Sequence, residues 1–206
     1  MNKDIFKTTM TAIEVVEGIV KENPVIKGLA FYVYAPQPNV FESAGESLLS
    51  RLLFHDSTAG KEKWLNREEI TVDKLYKTVG GLEKEYVLSV LSKVVLKRNE
   101  LFHVPLMDFA GGSSMLPAHD LARIVYFLEK ANYGNGVILY SGRSFHYYGN
   151  YLMNDKEWRV FLGDCLLSGL ADSRYVGHCL KDGCAVLRLS ACSLRHHVPK
   201  VVSILE

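Results

Sequence analysis

The chain has 206 residues, 48% of them hydrophobic, which suffices for one ordinary domain or two small ones with a real core and, without low-complexity tracts or long like-charge runs, argues against disorder. Its formal net charge is +1, and residues 1–98 hold 14 Lys/Arg against 13 Asp/Glu while residues 99–206 hold 10 against 10, so the global footprint of a strongly basic nucleic-acid binder is missing. No apolar stretch nears the roughly 20 residues of a membrane-spanning helix, and the N-terminus leads into no signal-type block, so a cytoplasmic protein is expected.

In chain order, apolar spacing predicts an amphipathic helix over 4–21. Gly28 to Tyr34 reads as a strand, ended by Ala35-Pro36-Gln37-Pro38-Asn39. Ser43 to Phe54 is helix-like, Thr71 to Lys77 a short helix, and Leu82 to Lys97 a stronger helix with Val87, Leu88, Leu91, Val94 and Val95 as its stripe. Beyond a soft boundary near Arg98-Asn99, Leu101 to Phe109 is strand-like and Pro117 to Ala131 helical. Gly136 to Tyr140 is a strand, Phe145 to Tyr148 another, and Asp155 to Leu167 a helix. Asp172 N-caps a helix reaching Leu180, Cys184 to Leu189 is a strand, and Lys200 to Leu205 closes the sheet. Strands separated by helices imply an α+β (α/β layered) fold. One domain, 1–206, is expected, with an N-terminal α/β unit (1–98) and a second unit (99–206).

Four places offer chemistry. Asp108 ends the apolar run from Leu101, where a carboxylate can hold a divalent cation at a sheet edge; its plainer role is a turn cap before Gly111-Gly112. Ser141-Gly142-Arg143-Ser144-Phe145-His146 follows a buried strand with small residues, a fixed cation and an imidazole donor, a phosphate-binding composition. The alternative for that stretch is a hairpin turn with His146 on a sheet face. Asp172 could ligate a metal or act as a base besides capping its helix. Arg188 sits inside an apolar strand, where a charge requires a partner or a ligand. Arg174, Lys181, Arg195 and Lys200 add cations between Ala171 and Lys200, against Asp172 and Asp182. Cys165, Cys179, Cys184 and Cys192 match no common zinc spacing and read as buried thiols, so zinc is not expected. Walker-type and dinucleotide fingerprints are absent, and Tyr147-Tyr148 reads either as a base-stacking pair or as core.

In order, Asp108, Ser144-Phe145-His146, Asp172, and Arg188 with Ser190 resemble the motifs of the archaeo-eukaryotic primase/polymerase superfamily: a strand-end acid, a Ser-x-His, a further Asp, then basic residues. The resemblance covers the second half of the chain. It implies an RRM-like mixed sheet with flanking helices, carried by residues 99–206. It implies a nucleotidyltransferase in which Asp108 and Asp172 bind Mg2+ or Mn2+, with Asp108, His146 and Asp172 catalytic. Ser141, Arg143, Ser144, His146, Arg188 and Lys200 would hold the nucleoside triphosphate, and a single-stranded nucleic acid would be the template. The family's first motif is usually Asp-x-Asp; Ala110 stands at the second acid, so the chain resembles a single-aspartate variant. A catalytically silent nucleotide- or nucleic-acid-binding subunit is therefore the second expectation, and a hydrolase using His119, Asp120 and Asp108 the third. A helicase or another replication or defence protein is a candidate partner; no membrane is expected.

Overall fold

The computed structural model describes residues 5–36, 62–110 and 117–205. Among these are five α-helices and two antiparallel sheets, an α+β architecture. The helix expected over 43–54 lies outside the described residues.

The first sheet runs β2 (Lys63–Asn66), β1 (Ile26–Tyr34), β3 (Val87–Leu96), β4 (Leu101–His103), with β8 (Val186–Arg188) pairing β3 beyond the end of β4. It draws strands from both halves of the chain. Helix α1 (Ala12–Glu22) starts later than its apolar spacing suggested, because Thr11 and Glu14 form a capping box that fixes the first turn there. Helix α2 (Val72–Gly80) packs beside it.

The helix expected over Leu82–Lys97 is instead the strand β3, the spine of this sheet. Its first six residues are all buried, so no polar face interrupts the apolar run. A strand covered on both faces shows no alternation and mimics a helix stripe; the β-branched residues Val87, Val90, Val94 and Val95 decide for the strand.

The strand expected over Leu101–Phe109 is two strands in two sheets. Val104-Pro105 divides β4 from β5 (Leu106–Phe109), since proline brings no N–H to a ladder. At this crossing, buried His103 exchanges both backbone bonds with Met153, stacks on Trp158 at 4.3 Å, and meets Ser92 Oγ through Nδ1 at 2.9 Å. Ser92 Oγ also accepts the Ala185 N–H, which ties the crossing to the segment before β8. Burial pushes His103 down to about 4, and the ring is neutral.

The second sheet has the order β5, β7 (Phe145–Gly149), β6 (Gly136–Tyr140), β9 (Lys200–Leu205). With α3 (Pro117–Lys130) after β5, and α4 (Asp155–Leu167) and α5 (Ser173–Asp182) after β7, it follows the β-α-β-β-α-β run of split-βαβ folds. Every pairing in both sheets is antiparallel, so the expected mixed sheet is antiparallel throughout. Helices α3 and α4 cover the face bearing Phe109 and Tyr147, through Phe127 and Phe161. The alternate residues, Asp108, His146 and Tyr148, point from the other face. No helix among the described residues is long and apolar enough to cross a membrane.

Candidate functional site

The site is built by register. Asp108 on β5 stands directly opposite His146 on β7. On the other side of β5, Phe109 forms an antiparallel bridge with Ala171, and the Ala110 N–H donates to the Leu170 carbonyl. One residue along that bridge sets Asp172 beside Asp108. His146, Asp108 and Asp172 therefore make a row across three neighbouring segments, and paired residues in such a row share a face. Gly142, Ser144 and Arg143 lie at the same end of the sheet, in the β6–β7 turn.

The electrostatics of the row follow from burial. Asp108 is pushed up to about 6, chiefly by desolvation and further by the Asp172 carboxylate; the Ser144 hydroxyl, Arg188 and Arg195 oppose the rise. Buried His146 is pushed down to about 3, by desolvation and then by Arg188. Its Nε2 lies 3.8 Å from Asp108 Oδ1. With a neutral imidazole, that contact is neither an ion pair nor a hydrogen bond. Asp108 Oδ1, His146 Nδ1 and the Tyr148 hydroxyl are all buried and have no hydrogen-bond partner. Burial raises the Tyr148 phenol far above its ordinary range, so it stays a neutral donor. Buried polar groups are nearly always paired, so three orphans on one face mark a place that a polar ligand or water completes.

The neighbouring turn is the reverse case. Ser141 Oγ donates to the Ser144 carbonyl at 3.0 Å, accepts the Ser144 N–H at 3.2 Å and meets Ser144 Oγ at 2.9 Å. Tyr140 Oη donates to the Gly142 carbonyl at 2.7 Å. This is the hairpin reading of the segment, with His146 on a sheet face, and it lies at the site. Gly142 has φ +98°, and a Cβ there would fall 2.4 Å from the His197 ring. Only glycine suits both conditions.

Arg188 is 8% exposed, and its cost of burial is met by backbone. The guanidinium donates to the carbonyls of Ser190 (3.1 Å), His197 and Ser141. It joins β8 and the 190–198 segment to the hairpin. Among the described residues no carboxylate lies within ion-pair distance of it, so the partner its buried charge requires is supplied by carbonyls.

The remaining sequence candidates divide. Asp172 is exposed and accepts the Arg174 N–H at 2.9 Å, the expected N-cap, with a carboxylate oxygen to spare. Arg143 is exposed on the turn. Lys200 is not brought to the row: it pairs with Tyr140 on β9, at the edge of the sheet opposite β5 and on the alternate face. His119 is exposed and Asp120 buried on α3, which covers the Phe109 face, so neither joins Asp108. Sequence reasoning missed Tyr148 as a site residue, although its i, i+2 spacing from His146 put it on the same face. It also left Arg195 unassigned; its charge acts on both Asp108 and Arg188. The four cysteines are free thiols.

Two carboxylates side by side, one with an orphan oxygen, suit a hard divalent cation that keeps waters and arrives with phosphate oxygens. Among the described residues no three His, Cys, Asp or Glu side chains cluster as a self-sufficient ligand set.

The α+β architecture of two antiparallel sheets with flanking helices is of the primase-like type. The family model described as AEP-like, archaeo-eukaryotic primase 1D-like, matches residues 66–201, and the chain belongs to this family. The matched span holds the whole row and the β6–β7 turn, and carries with it a primase-like function related to nucleotides and nucleic acid. Comparison with curated proteins and with solved structures gave no match.

Proposed function

We propose that the chain is a primase-polymerase-like nucleotidyltransferase, working as one cytoplasmic domain that binds a metal–nucleotide and a nucleic-acid template. The observation that carries this reading is the row His146–Asp108–Asp172 with its unsatisfied buried atoms. Asp108 and Asp172 would hold Mg2+ or Mn2+, which supplies charge neutralisation to the triphosphate. Asp172, the further acid of the motif order, reaches the row from the neighbouring segment, and with Ala110 at the second acid the set holds two carboxylates. His146, neutral and held by the sheet, offers a ring donor to a phosphate oxygen. Arg143 and Arg195 supply cationic charge at the mouth, while Ser141, Ser144 and Arg188 fix the turn from which Arg143 projects. A primer 3′-hydroxyl then attacks the α-phosphorus in line and diphosphate leaves, the protein contributing position and charge stabilisation. Lys200, across the sheet, would serve the nucleic-acid backbone rather than the triphosphate. A helicase or other replication or defence protein is the proposed partner class.

Template-directed primer synthesis with Mg2+ and with Mn2+ tests the activity. Product formation that drops at least about a hundredfold in Asp108→Ala supports it; synthesis that is unchanged in that variant removes Asp108 from the mechanism. The second reading, a silent nucleotide- or nucleic-acid-binding module, is favoured by the two-carboxylate set and by Ala110. It predicts binding that persists in EDTA and yields no product.

A further inference from the structure

The outer face of α3 carries a feature that the carboxylate row does not use. His119, Arg123, Tyr126 and Lys130 recur at helical spacing and all are exposed. They line an open groove of about 610 Å³, to which Ser168 and Leu170 also contribute. Among the described residues no carboxylate lines it. Glu129 is exposed on the same helix but is not among the lining residues, and Asp120 is buried. Tyr126 is 64% exposed, an unusual state for a large ring, and Lys130 Nζ sits 5.8 Å from its centroid. A row of cations with an aromatic face among them is the composition that tracks a phosphate backbone while stacking its bases.

Leu170, in the wall of the groove, accepts the Ala110 N–H, so the groove adjoins the segment that leads into Asp172. We propose that this groove on α3 binds single-stranded nucleic acid. The inference rests on the nucleic-acid half of the proposed function and not on the metal–nucleotide half.

Fluorescence anisotropy of the full chain with labelled oligo(dT), across 50 to 300 mM salt, tests it. Arg123→Glu with Lys130→Glu is expected to weaken binding at least about tenfold and to reduce the salt slope by about 1.4, two single-strand phosphate contacts. Tyr126→Ala is expected to weaken it about five- to fiftyfold at an unchanged slope, and Tyr126→Phe to retain it. The altered side chains are exposed, and thermal midpoints equal to that of the unaltered chain verify folding. Unaltered affinity in both the charge-reversed and Tyr126→Ala forms overturns the proposal. So does displacement by polyglutamate as effective as by unlabelled oligo(dT), which would make the groove a site for acidic protein segments. Metal–triphosphate binding by the unaltered chain is read separately, so failure at Asp108 and failure at the groove are told apart.

Discussion

The carboxylate row and the hairpin beside it occupy the same end of one sheet and obey opposite rules. Beside the row, the Ser141 hydroxyl and the Arg188 guanidinium spend their donors on the protein's own backbone. In the row, Asp108, His146 and Tyr148 keep polar atoms buried and unpaired. A saturated network specifies geometry, and an unsaturated one costs stability until something binds. The segment that by composition looks most like a phosphate cradle is internally bonded through Ser141. The strand residues behind it hold the unpaired atoms.

This contrast breaks most visibly at Arg188. Arg188→Ala leaves three carbonyls without their donor and should cost about 3 kcal/mol or more, read by urea unfolding. A loss below about 1 kcal/mol would mean that the guanidinium is held for a ligand instead. Titration gives the next largest effect. His103 and His146, held near 4 and 3, are protonated only in the unfolded chain between pH 4 and 6. Asp108, raised to about 6, is protonated only in the folded chain over the same range. The unfolded state then binds about one proton more, and stability should rise by about 1.4 kcal/mol per pH unit. Removing the opposing carboxyl in Asp108→Asn should roughly double that slope. By the same linkage, the stability of Asp108→Asn relative to the unaltered chain should improve by about 3 kcal/mol between pH 4 and pH 8, because the substitution deletes a carboxylate that burial disfavours. Gly142→Ala should cost about 2 kcal/mol, from its left-handed φ and the His197 ring, and His197→Ala should recover part of it in a double-mutant cycle. The smallest effect falls on Tyr148→Phe: stability within about 1 kcal/mol of the original, as expected for a hydroxyl with no partner.

Much of this was legible in the residues. The elements from Pro117 onward were readable because each has local punctuation: Asn154 and Asp172 cap α4 and α5, and Gly183 ends α5 in the left-handed region. The order Asp108, His146, Asp172 could be read along the chain, but their meeting could not. It depends on the β5–β7 register and on the Phe109–Ala171 bridge, both set by tertiary pairing. β3 was read as a helix because burial on both faces erased its alternation. The role of Arg188 was hidden for a related reason. An arginine in an apolar strand announces a partner, yet its partners are backbone carbonyls of Ser190, His197 and the distant Ser141, and no side-chain pattern encodes those.

Calorimetric titration of a deoxynucleoside triphosphate with Mn2+, into the unaltered chain and into Asp108→Asn at pH 8, tests the central claim most directly. The row predicts binding to the unaltered chain, and a loss of at least about tenfold in the variant despite its equal or greater stability. Equal affinity in the two proteins would contradict it and move the nucleotide away from Asp108.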